Sequence, residues 1–253
     1  MKKVLGRYDI LITIALFLAM IPAEYNESFA MLEEQTLSAR QILRMSYGDQ
    51  EQTSFSKDEI VILNMDESFF DEYRSFPLRR TDIATMASAL HNLGAKVLAL
   101  DVLLDFPSSY GEDEAAAKLL KETGSSMLVS QAKINADDVA TGMNYPTEAY
   151  RGSAKSGYTN ITSSSSIITS LSKLRIREDT IEMEDGWPFA VQALAMYYEA
   201  EPAFIEEDGQ KYLTIGELRV PLDHHNQFHI DFPALTTGAT FLNQTDASIS
   251  AME

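Results

Sequence analysis

Four carboxylates are placed where chemistry is easiest to build. Asp66 and Glu67 close one apolar, β-branched run, and Asp101 and Asp105 lie in and just after a second. If the two runs are neighbouring parallel strands, these carboxylates meet at one sheet edge. In open α/β sheets ligands bind in the crevice beyond the strand carboxyl ends, and converging carboxylates there hold a cation or a basic group. The competing reading is that they cap helices and accept loop hydrogen bonds. Arg79 and Arg80 follow Pro77 just before a helical stretch. They are placed to grip a carboxylate or phosphate at that helix N-terminus, or to pack across the strand ends.

His224, His225 and His229 cluster beside Asp223 and Asp231, and on a strand His229 and Asp231 share a face. His225, His229 and Asp231 are therefore weak metal-ligand candidates, because the spacing matches no established zinc pattern. Paired carboxylates can act as acid and base, yet no nucleophile, oxyanion motif, GxGxxG, phosphate loop or HExxH accompanies them. No catalytic residue and no cofactor is expected.

Composition narrows the partners. The 253 residues are 45% apolar, enough for a substantial core, and 38 acidic against 20 basic residues give a net charge of −18. That field repels phosphate backbones and excludes nucleic acid as a natural partner. With no cysteine there is no disulfide or thiolate site, and export to an oxidising compartment poses no hazard.

Lys2, Lys3 and Arg7 precede an apolar run from Ile10 to Ile21. Residues 1–23 thus read as a membrane anchor or signal segment. The run is short for a bilayer, but Val4, Leu5 and a snorkelling Arg7 extend it. The positive-inside rule then places residues 24–253 outside the cytoplasm.

Stepping along the exported part, Phe29–Met45 reads as a helix able to carry motion to the membrane, and 60–65 as a buried strand. Ile83, Met86, Ala87, Leu90 and Leu93 share one helical face, with Thr81 placed to cap its start and Gly94 its end. A strand follows at 96–104, a helix at 112–122 and a short strand at 127–129. This β-α-β-α-β alternation predicts an α/β fold whose mostly parallel sheet is covered by helices. Residues 135–172, poor in large apolar side chains and carrying Ser163–Ser166, are expected to meander over the surface. Further on, a helix is expected at 187–198, two strands around Gly216, and a strand at 227–232 with Phe228, Ile230 and Phe232 turned inward.

The segments IVILNMDES at 60–68, FPLRR at 76–80 and GAKVLALDVLLD at 94–105 resemble the CHASE domain of the second type. GYTN at 157–160, WPFAVQALA at 187–195, VPLD at 220–223 and HIDF at 229–232 continue the likeness. One departure is that the family commonly has Asp-Gly and then arginines after the GYTN position. Here Ser163–Ser166 intervene and only Arg175 and Arg177 follow. The resemblance implies an extracytoplasmic sensor of bacterial adenylate or guanylate cyclases, histidine kinases or serine/threonine kinases. It assigns no ligand and no catalytic residues, and it suggests a class III cyclase as the output outside this chain. The expected partners are an unknown small-molecule or protein ligand, the membrane through the N-terminal helix, and a second copy in a homodimer. The alternative is a membrane-anchored envelope module that binds a protein and drives no output.

Overall fold

The computed structural model describes residues 2–25, 36, 60–74, 76–160, 173–230 and 248–250. The chain opens with helix α1 (Lys2–Tyr25). Ile10, Leu11 and Ile12, and again Leu16, Phe17 and Leu18, are exposed, so its apolar surface runs all round. Such a helix needs cover from lipid or protein. Among the described residues no helix is long and apolar enough to cross a membrane. The stretch Ile10–Ile21 rises about 18 Å, against a hydrocarbon core of about 30 Å. The fold therefore does not show the expected membrane pass. Apart from Thr36, the expected helix at 29–45 lies outside the described residues, as do Ser163–Ser166, Asp231 and Phe232.

Strand β1 (Ile62–Asn64) leads through Asp66 into α2 (Glu67–Tyr73), a helix that the sequence reading did not anticipate. The helical stripe after Pro77 forms α3 (Arg80–Asn92), burying Ile83, Ala84 and Ala87. It ends at Gly94, whose φ of 105° suits glycine. The next strand, β2 (Leu98–Leu103), is followed by α4 (Asp113–Thr123), which closes on Gly124 at φ 76°.

The expected short strand at 127–129 is in fact the nine-residue β3 (Ser126–Ile134). Its first half runs parallel to β2, with Leu98 opposite Ser126 and Leu100 opposite Leu128. Its second half pairs antiparallel with β4 (Ala140–Asn144), Gln131 opposite Asn144. After a single 3₁₀ turn (Glu148–Tyr150), β5 (Lys155–Tyr158) lies parallel on the other side of β3, with Ser130 opposite Tyr158. The region expected to meander over the surface therefore contributes two strands, and Ser156, Gly157 and Tyr158 are buried. Large apolar residues are scarce there because little room is available. A Cβ at Gly157 would lie 2.6 Å from Phe189 Cα.

Beyond it come β6 (Lys173–Arg175), the short α5 (Glu178–Ile181) and α6 (Phe189–Tyr198), with Pro188 at its N-cap. An antiparallel meander follows: β7 (Pro202–Glu207), β8 (Gln210–Ile215) and β9 (Leu218–Pro221). Asp208 and Gly209 make its first turn with φ of 51° and 77°, the conformation an Asp-Gly hairpin favours. Strand β10 (Gln227–His229) pairs antiparallel with β6. Phe228 packs on the core as expected, whereas Ile230 is exposed because the strand stops at His229.

One pairing differs from the expected β-α-β-α-β sheet. Strand β1 does not join β2 but runs parallel to β11 (Ser248–Ser250), with Leu63 opposite Ile249. Hydrophobic patterning marks a strand without naming its neighbour, and this neighbour lies at the far end of the chain. The main core lies between α3, α4 and the parallel sheet, where Ala84 and Ala87 meet Ala116, Ala117, Leu120, Leu98 and Leu128. A second core places Trp187, Val191 and Ala195 against Leu213, Ile215 and Ile176.

Candidate functional site

The carboxyl end of β2 is where the sequence placed a site, and most of its residues are committed to the fold. Asp66 is the N-cap of α2, accepting a hydrogen bond from the Phe69 N–H at 3.0 Å, and Glu67 is exposed in that helix's first turn. Asp101 is exposed on β2, while Asp105 accepts from Asn144 Nδ2 at 2.6 Å. No three of these carboxylates form a group that could hold a metal, nor do any three Asp, Glu or His among the described residues. The reason is topological. With β1 paired to β11 rather than to β2, the two strand ends are not neighbours in one sheet.

Arg80 is the centre of this edge and is 6% exposed. Its guanidinium donates to the Asp113 carboxylate and to the Phe106 carbonyl, and it lies 5.2 Å from the centroid of the Phe106 ring. Tyr150 Oη donates to Asp113 Oδ1 at 3.1 Å, and the Ser108 N–H donates to Asp113 Oδ2 at 2.7 Å. Burial works to raise the Asp113 carboxyl, but the Ser108 N–H and the Arg80 guanidinium outweigh it and hold the group below the usual carboxylate range. Burial, followed by the Asp113 charge, pushes the Tyr150 phenol up.

The N-terminus of α3 does receive an anion, and it is the chain's own. Arg79, the N-cap residue, offers no side-chain cap. Glu112 fills that role, accepting from the Arg80 N–H at 2.6 Å and from Thr81 Oγ1 at 3.2 Å. Thr81, expected as the cap, instead anchors this carboxylate. A helix start without a local acceptor leaves its first N–H groups unsatisfied, and a carboxylate 32 residues onward satisfies one. Arg79 remains exposed, its guanidinium 5.2 Å from the Tyr110 ring centroid.

A second buried arginine was visible in the sequence only as a departure from the family pattern. Arg177, 7% exposed, donates to Asp138 and to both oxygens of Asp179, while Asp179 also accepts from the Ala140 N–H. Arg175 adds a 2.6 Å bond to Asp138. The Arg175 hydrogen bond holds the Asp138 carboxyl low, and the Arg177 bond does so for Asp179. Asp113, Asp138, Asp179 and Glu112 carried no local signal, since each has a partner more than 30 residues away, the Arg177–Asp179 and Ser108–Asp113 contacts being local additions.

The histidine cluster forms a turn. Asp223 Oδ1 accepts from the His225 and Gln227 N–H groups, Asn226 sits at φ 57°, and the His224 and His225 rings are 4.0 Å apart. Asp231 and the side chain of His229 lie outside what the structure describes, and among the described residues no group of three His, Asp or Glu could hold a metal. Beside this turn a groove of about 440 Å³ is lined by Gln210, Val220, Leu222, Asp223 and Phe228.

Asp66, Asp105, Glu112, Asp113, Asp138 and Asp179 are thus committed to caps, hydrogen bonds and ion pairs within a mixed α/β fold, while Glu67 and Asp101 stay exposed. Residues 11–252 match the CHASE2 domain, and the chain belongs to that family. CHASE2 is an extracytoplasmic sensory domain, so this chain is not an enzyme and its bulk works outside the cytoplasm. Neither curated proteins nor solved structures give a match.

Proposed function

We propose that this chain is the input region of a bacterial transmembrane receptor, held at the membrane by α1, whose output is a class III adenylate or guanylate cyclase. The membership of residues 11–252 in CHASE2 carries the reading. The apolar circumference of α1 supports the anchor, because such a surface needs cover, and Lys2, Lys3 and Arg7 in its first two turns favour a cytoplasmic N-terminus. A ligand acts by binding one arrangement of the domain better than another. Of the candidate residues named from the sequence, Glu67, Arg79 and Asp101 are exposed and so accessible to it.

Topology and sensing are tested together. Alkaline phosphatase fused after Glu253 is expected to be active in cells, and the fusion is expected to stay in the membrane pellet after carbonate washing. An inactive fusion, or release by carbonate, overturns the anchored, exported reading. Thermal unfolding with a panel of metals, amino acids, nucleotides and periplasmic extracts then reads the ligand, since binding to the folded state raises the midpoint.

A further inference from the structure

We infer that the surface made by Arg74, Phe76, Arg79, Phe106 and Tyr110 is a docking site for an acidic segment of a protein partner. Phe76 is 83% exposed, Phe106 61% and Tyr110 44%. They belong to one contiguous surface. Phe76 meets Phe70 at 5.9 Å between ring centroids, and Phe70 lies one turn before Tyr73 in α2. Tyr73 Oη accepts from the Arg79 N–H, and Arg79 covers Tyr110. Phe106 is held beneath Arg80 in the loop that carries Tyr110.

Charge selects the occupant. Arg80, Arg151, Arg175, Arg177 and Arg219 each pair with a carboxylate. Among the described arginines, Arg74 and Arg79 have no such partner, and they flank Phe76. In a chain with 38 acidic residues, guanidinium groups left unpaired are not short of neighbours by composition. Asp82 accepts from Tyr73 Oη at 2.5 Å, Glu112 and Asp113 serve α3 and Arg80, and the exposed Asp71 and Glu72 of α2 form no ion pair with either arginine. Phe76 and Phe106, at 83% and 61% exposure, stand out from the surface, which suits a macromolecular contact more than an enclosed small molecule. Exposed aromatic rings with arginine are the groups that dominate protein interfaces. The inference goes beyond the sensor reading and does not require the output to be a cyclase.

The test titrates the full chain, in detergent micelles, into a fluorescein-labelled random copolymer of glutamate and tyrosine, and follows anisotropy. Binding is expected despite the overall negative charge. Arg74→Gln/Arg79→Gln should weaken it at least tenfold and Phe76→Ser at least fivefold. Lys121→Gln/Lys133→Gln, which changes net charge equally at two exposed lysines with no ion pair, should stay within twofold. An unchanged thermal midpoint for the arginine variant, whose side chains form no ion pair, shows that it is folded. Equal weakening by both double variants, or no binding by the unaltered chain, overturns the proposal. So does sedimentation showing a dimer that Arg74→Gln/Arg79→Gln dissociates, because the occupant is then a second copy.

Discussion

Arg80 and Asp113 sit 33 residues apart and meet at 6% and 15% side-chain exposure. Removing one member of such a pair leaves an uncompensated charge that the fold has already desolvated. Arg80→Met is therefore expected to lower the unfolding free energy by about 3 kcal/mol or more, measured by urea denaturation. Arg80→Lys should recover only part of the loss, since an ammonium cannot serve Asp113 and the Phe106 carbonyl with the same planar fork. A variant as stable as the parent would mean that the network is not closed as described. The adjacent Arg79 was indistinguishable from Arg80 in sequence. One is the best-buried cation at this edge and the other is exposed over a tyrosine ring, because helix α3 begins between them.

Strand β5 shows how a sequence poor in large apolar side chains still makes a core element. Gly157 faces the start of α6 so closely that a Cβ would meet the Phe189 backbone N at 3.0 Å and Cα at 2.6 Å. Gly157→Ala is expected to push α6 off the sheet and to destabilise the domain by about 1–3 kcal/mol, the usual cost of overpacking. The midpoint of thermal unfolding reads it, and Gly142→Ala, with nothing within 4 Å of the added Cβ, is the control expected to change little. Close approach of backbones is invisible to hydrophobic periodicity, so this strand read as loop. Asn160 extends the same element, its side-chain amide accepting from the Ala132 N–H at 2.6 Å and donating to the Ala132 carbonyl at 2.9 Å.

Across the whole molecule, buried arginines and lowered carboxylates link stability to acidity. Asp113, Asp138 and Asp179 all have folded-state values below the ordinary carboxylate range. Stability from a depressed carboxylate is fully present above its unfolded value, near pH 4, and is lost as pH falls through the folded value. The thermal midpoint should therefore hold from pH 7 to about 5 and fall below about 4. Protonation also relieves the self-repulsion of a chain at −18, which acts the other way, and salt suppresses that contribution more than the part-buried pairs. At about 0.3 M salt, Asp179→Asn should lower the midpoint at pH 7 and make the acid decline shallower. An unchanged acid slope would remove Asp179 from the linkage.

The sequence by itself determined what local pattern and composition can carry. The α3 stripe ending at Gly94, α4 ending at Gly124, the strands around Gly216, and the motifs at 60–68, 76–80 and 94–105 were all legible, and with them the family. Tertiary structure alone decided which strand β1 joins, which arginine is buried, and that Glu112 rather than Thr81 serves the start of α3. Periodicity and capping act within one turn or one strand, so a single stretch of chain encodes them. Pairings across 30 to nearly 200 residues depend on which surfaces find each other when the core closes, and no local pattern records that choice.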